Sequence, residues 1–296
     1  MPRDARIREG VLVAAAALAI GLIAVLAWRL RPADPDAPPA VEAPDALVVA
    51  ADPGVERRSD GAWAETRKGD SLHVTDSIRT GGGSTAELAL GRGARVVLAE
   101  RSEVTVRELT AALLRVGLVQ GRISVDLRPD GTRVLRVEDR TGGVAARGSA
   151  GRFGVLARGE GLAVASSEGR VTVESGGAAV EVPGGAETIA WRGAAPLPSR
   201  PIPREVVLRV ARRLEERRQA VCTVLQVDAA SELTVNGASV EVPADGRVVV
   251  TQPPHGRRRD VEVVVRHAGG LVERKVLPCW EGEGEVSDLE VRWNAR

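Results

Sequence analysis

Aromatic side chains are scarce: the 296 residues include five Trp, one Phe and no Tyr. A core built with so few must rely on Val, Leu, Ile and Ala. β-Branched residues in quantity favour strands, where they pack well on a pleated surface. Histidine is scarce as well. His73, His255 and His267 are the only three, and none stands in H-x-x-x-H or a comparable ligand spacing. His73, inside S-L-H-V-T, reads as a strand-surface or half-buried residue. His255 and His267 flank a hairpin and could approach each other, although a chance pair is the simpler reading than a metal site. No G-x-S-x-G elbow occurs, and Ser149 in R-G-S-A-G has no base close in sequence. Gly81-Gly82-Gly83 is followed by no G-K-[ST] and opens no helix, so it reads as a turn and not a phosphate cradle. The acidic run Glu281, Glu283, Glu285 lacks the Asp/Asn pattern of a calcium loop and reads as a solvated linker. The chain is therefore expected to be no enzyme, with no catalytic residue, no metal ligand, no cofactor and no evident small-molecule substrate. A formal net charge of +1 gives no electrostatic case for nucleic acid.

Cysteine is nearly absent too. Cys222 and Cys279 both lie in the last quarter of the chain, with nothing nearby to complete a metal site. The pair is read as a disulfide, which implies an oxidising compartment; two unrelated buried thiols is the competing reading. Trp63, Trp191, Trp280 and Trp293 read as core plugs or as cover at domain seams, not as sugar platforms. Arg257-Arg258-Arg259 reads as a solvated hairpin tip.

The sequence does contain one long apolar run. Val11 to Trp28 carries no charge. At 1.5 Å per residue it spans about 27 Å, close to the hydrocarbon thickness of a bilayer. Trp28 suits the interface, and Arg29 and Arg31 follow at once. The run is too long, and its flank too bulky, for a signal-peptide core and cleavage site, although a cleaved signal remains the competing reading. Arg3, Arg6, Arg8 and the amino terminus bias the N-terminus weakly toward the inside. Residues 29–46, rich in Pro, Ala and Asp, read as a spacer.

Beyond the spacer the pattern is β-like. Period-two alternation appears in Thr85–Leu90, Glu103–Arg107, Arg170–Glu174 and Ala179–Val182. Turn signals fall between these segments at Asp60-Gly61, Gly81–Gly83, Asp130-Gly131, Glu168-Gly169 and Gly176-Gly177. After a second Pro-rich joint, Arg204–Gln219 places Val207, Val210, Ala211 and Leu214 at helical spacing and predicts one amphipathic helix. Strands return at Leu233–Gly237, Arg247–Thr251, Asp260–Arg266 and Leu289–Trp293, with Asn236-Gly237 and Asp245-Gly246 as hairpin turns.

The middle segment resembles the FecR domain. The residues that carry this are G-D-S-L (Gly69–Leu72), I-R-T-G-G-G-S-T-A-E-L-A-L-G-R-G-A-R-V-V-L (Ile78–Leu98), L-V-Q-G-R-I-S-V (Leu118–Val125), R-G-S-A-G-R-F-G-V (Arg147–Val155) and E-G-R-V-T-V (Glu168–Val173). Gly148-Ser149, with three further residues before Phe153, stands where that family shows Gly-Thr. The resemblance implies an all-β periplasmic module. In the family's founding systems such a module relays a transporter's state through one membrane helix to a cytoplasmic sigma-binding domain. Only about ten residues precede Val11, so that last role is not carried over. The segment from Leu233 to Val250 is similar to the opening strands of bacterial immunoglobulin-like modules.

The expected fold is mostly β. Its parts are a cytoplasmic tail (1–10), a transmembrane helix (11–28), a Pro-rich linker (29–46), a β-roll or solenoid-like FecR-type domain (47–192), a joint with one amphipathic helix (193–220) and an immunoglobulin-like β-sandwich (221–296). The expected function is that of an inner-membrane, single-pass envelope protein with its bulk periplasmic, acting through an envelope protein partner. A cell-wall glycan binder is the alternative.

Overall fold

The computed structural model describes residues 46–91, 93–110, 112–129, 133–206, 208–211, 221–251 and 259–279. The apolar run Val11–Trp28, the acidic linker and Leu289–Trp293 lie outside them. Among the described residues no helix is long and apolar enough to cross a membrane.

Pro44–Arg296 forms one compact unit. Its N-terminal lobe is a single sheet of 16 strands. In chain order the first eight are β1 (Ala46–Ala51), β2 (Val55–Ser59), β3 (Ala62–Glu65), β4 (Ser77–Thr80), β5 (Ala86–Leu90), β6 (Ala94–Leu98), β7 (Glu103–Leu109) and β8 (Leu113–Gln120). The rest are β9 (Arg122–Leu127), β10 (Val134–Asp139), β11 (Val144–Gly148), β12 (Gly151–Arg158), β13 (Gly161–Ser175), β14 (Ala178–Pro183), β15 (Ala186–Trp191) and β16 (Arg200–Pro201).

The hydrogen-bonded order is β1-β5-β6-β9-β12-β13-β11-β10-β8-β7-β4-β2-β3, with β14 and β15 also on β13 and β16 on β15. The sheet curls over one core. Leu88, Val96, Ile123 and Val155 from one arm meet Ile78, Val106, Val116 and Val137 from the other, all fully buried. The alternation seen in the sequence is the cause: in β5, Ala86, Leu88 and Leu90 point inward while Glu87 and Ala89 do not. Only β8 and β10 pair in parallel among the described strands. A solenoid would stack parallel rungs throughout, so the lobe is a curled, nearly antiparallel sheet and not a solenoid.

Two places join the arms. Gly121, between β8 and β9, has a φ of +76°. A Cβ there would overlap Arg101 O and Ser102 Oγ, so the motif L-V-Q-G-R-I-S-V needs its glycine to turn tightly against a neighbouring chain. The second join is β13. Its first half pairs with β12 and β15, its second half with β11 and β14. Glu168-Gly169, expected as a turn between strands, lies inside this strand, where four exposed residues separate two buried runs.

The C-terminal lobe is a two-sheet sandwich. One sheet holds β17 (Leu208–Ala211), β18 (Val221–Val227) and β21 (Arg247–Thr251), in the order β17-β18-β21. The other holds β19 (Ser231–Val235), β20 (Ala238–Val240), β22 (Arg259–His267) and β23 (Val272–Cys279), in the order β20-β19-β22-β23. Leu225, Leu233, Val261, Val263 and Val265 fill the space between them. The turn chemistry works at Asn236-Gly237, whose φ values of +49° and +78° close the β19–β20 hairpin. Asp245-Gly246 instead leads from one sheet to the other, since β20 and β21 do not pair.

The expected helix over Arg204–Gln219 fails where it is described. Leu208–Ala211 is a strand, with Val210 opposite Leu225 and Leu208 opposite Val227. Its valines suit the edge of a Val-rich sheet at least as well as a helical stripe. Arg212–Gln219 lies outside the described residues.

Candidate functional site

The two lobes meet along a packed seam. Leu156 on β12, Ala163 and Ala165 on β13 and Ile189 on β15 touch Ala230 and Ala268 of the sandwich, all buried. Trp191 and Ile202 flank them, so Trp191 covers a seam as the sequence suggested. Small residues let the backbones approach closely: a Cβ on Gly154 of β12 would overlap Ala268 O.

Charged side chains tie the seam. Arg122 Nε donates to Ala268 O at 3.1 Å. Arg158 donates to Ser231 O at 2.8 Å and Val242 O at 2.6 Å. Burial lowers the pKa of both guanidiniums. Arg266 pairs with Glu100, whose other oxygen accepts Gly83 N–H at 2.8 Å. Burial pushes the Glu100 carboxyl up, but Gly83 N–H and Arg266 together hold it below the ordinary value. The Gly81–Gly83 turn thus seats a seam carboxylate and cradles no phosphate.

At the centre lie Glu187 on β15, Arg200 on β16, Asp228 after β18 and His267 closing β22. Arg200 Nε donates to Glu187 Oε1 at 2.9 Å, and Arg200 Nη2 reaches both Asp228 oxygens at 2.7 and 2.9 Å. Asp228 Oδ1 also accepts Ala230 N–H at 2.7 Å. Glu187 and His267 are fully buried, and Glu187 Oε2 faces His267 Nε2 at 2.9 Å. The contact is not a hydrogen bond, and neither atom has another hydrogen-bond partner. Gly269 N–H donates to His267 Nδ1 at 3.0 Å. Nδ1 is therefore an acceptor.

This assignment decides the chemistry. Glu187, Asp228 and His267 are close enough to hold a cation. A cation on Nε2 would need the ring proton on Nδ1, where Gly269 N–H already donates, and Arg200 already occupies Glu187 Oε1 and both Asp228 oxygens. The donor set does not fit a resident metal. Ser231 stands opposite His267 across β19–β22. Ser231 Oγ makes no hydrogen bond to His267 of the kind a nucleophile–base pair would. The cluster latches one lobe to the other.

The other singled-out residues are scattered. His73 is exposed in a loop, 3.6 Å from Asp76, and not on a strand. Ser149 is exposed in the turn between β11 and β12. Trp63 is neither a core plug nor seam cover. It sits half-buried on the edge strand β3, with Arg58 and Arg79 at 4.9 and 4.1 Å from its ring centre. Cys222 lies on β18 and Cys279 ends β23, in opposite sheets of the sandwich. Their side chains lie outside the described residues, as do His255, Trp280 and Trp293. The latch was missed in the sequence because its members lie up to 80 positions apart; its one local sign is a Glu in a strand whose neighbours on both faces are buried.

The order of motifs through β4–β13 is matched by one family model, described as FecR protein, over residues 76–172. That segment is similar to the FecR family. It takes up 97 of the 296 residues and forms most of the N-terminal lobe. Two crystal structures of a protein from Parabacteroides distasonis ATCC 8503, described as a "putative anti-sigma factor", are similar to the chain at 19% identity and a TM-score of 0.37. The similarity covers 42% of this chain and 59% of that one, so it spans less than two thirds of the other protein's length. Among curated proteins none matches.

Proposed function

We propose that the chain is a membrane-tethered, extracytoplasmic signalling or scaffold protein that works by protein contact. The observation that carries this reading is the match to the FecR family over residues 76–172, a type of module associated with regulation. The run Val11–Trp28 supplies the tether and the Pro-rich segment the spacer. The C-terminal lobe, read as immunoglobulin-like, adds a second contact surface through its open sheet edges. A Cys222–Cys279 disulfide belongs to the same reading, since it needs an oxidising compartment.

The test is made in intact cells. The full chain should fractionate with membranes, and protease added to spheroplasts should digest everything beyond about Arg31. A photo-crosslinking residue placed at Val276, on the open edge of the sandwich, should give a discrete adduct with one envelope protein. Protection of the bulk of the chain until detergent is added would refute the topology. Absence of any adduct from this edge and from β14, the open edge of the other lobe, would refute the contact reading.

A further inference from the structure

Beside the latch the seam opens into a cleft of about 750 Å³. Small-molecule sites commonly measure about 300–1,000 Å³ and favour domain interfaces. The N-terminal lobe contributes Trp191 and Gln120 to the walls, and the C-terminal lobe Ser231, Glu232, Ser239 and Glu241. Gln120, Ser239 and Glu241 are exposed and line the cleft, so their polar ends can meet a ligand there.

The charges along the walls are nearly balanced. Arg101 and Arg158 stand against Glu160, Glu232 and Glu241. Arg158 is committed to backbone carbonyls, Glu160 is paired with Arg192, and burial pushes the Glu232 carboxyl up toward its neutral form. A strongly charged ligand would find no net counter-charge here. An indole, a primary amide, two hydroxyls and two further carboxyls suit a ligand that is neutral, rich in hydroxyl groups and apolar on one flat face.

We propose that this cleft binds a short neutral saccharide, with one pyranose face against Trp191 and hydroxyls on Ser239, Gln120 and Glu241. The site goes beyond the protein-contact reading and does not depend on it. Trp63 cannot serve in its place, because two guanidiniums already lie over its ring.

Calorimetric titration of the detergent-solubilised full chain with chitotetraose and with maltotetraose tests this. At least one should give saturable binding. Trp191→Ala should weaken it about tenfold or more. Ser239→Ala should weaken it about threefold while its melting temperature holds, because the position is exposed. Gln120→Ala, at an exposed position clear of the seam core, should also weaken binding, and carries the test with Ser239→Ala if Trp191→Ala fails to fold. No binding of either tetrasaccharide would overturn the proposal, as would binding that these variants leave unchanged.

Discussion

Away from the seam, the N-terminal lobe pairs its buried ions within itself, whereas the C-terminal lobe pairs its own across the seam. Glu138, almost fully buried, takes Arg107 at 2.5 Å and Arg136 at 2.8 Å, both from its own sheet. Asp139 accepts Val144 N–H at 3.0 Å and the Thr141 hydroxyl at 2.7 Å, again locally. In the sandwich the buried ionisable groups Arg266 and His267 find Glu100 and Glu187 on the other lobe. The cores differ in the same sense. The large lobe packs Leu, Ile and Val from two arms, while the sandwich core draws on about ten buried side chains among the described residues. A lobe with outward-facing buried ions is completed by its neighbour.

The largest effect is expected from the disulfide reading. A bond closing about 60 residues stabilises by about 2–4 kcal/mol. Cys222→Ser and Cys279→Ser should destabilise equally, and the double variant should be no worse than either. Free thiols at both positions in protein from its native compartment, seen by mass spectrometry, would remove the bond. The sharpest way to break the comparison is at Glu187. Glu187→Ala removes the carboxylate that faces His267 and leaves Arg200 with Asp228 alone. Loss of a buried polar partner costs about 1–3 kcal/mol. The expected result is a C-terminal lobe that melts first, in a separate calorimetric transition.

Glu232 gives a smaller, pH-dependent effect. Burial raises its carboxyl pKa, with Arg266 and Arg101 pulling it back. A carboxyl whose folded value is raised favours the fold below its ordinary value, and that contribution is lost as pH rises through the raised one. Glu232→Gln should therefore melt higher than the wild type near pH 7 and lose that advantage below about pH 4. The smallest effect is expected from Arg170→Ala. Its pair with Glu181 lies on the open surface of the large lobe, and denaturant titration should show a change below about 0.5 kcal/mol.

The sequence made strands readable wherever one face is wet. β5 and β7 alternate cleanly, and the FecR motifs fall on β4–β13 in order. It misled where a local signal had two meanings. Glu168-Gly169 reads as a turn but lies in a long strand that changes partners midway. Val207, Val210 and Ala211 satisfy helical spacing, yet β17 forms because Val224–Val227 offer it a sheet edge. The latch was illegible for a different reason. Glu187, Arg200, Asp228 and His267 are ordinary residues in sequence and become a unit only when two lobes close on them.

Native-state hydrogen exchange on the full chain tests most directly whether the lobes form one body. The account predicts that amides of β15 and of β22, on opposite sides of the latch, open with the same free energy and respond alike to denaturant. If β22 and the rest of the sandwich exchange through their own, much cheaper opening while β15 stays protected, the lobes are independent and the account is wrong.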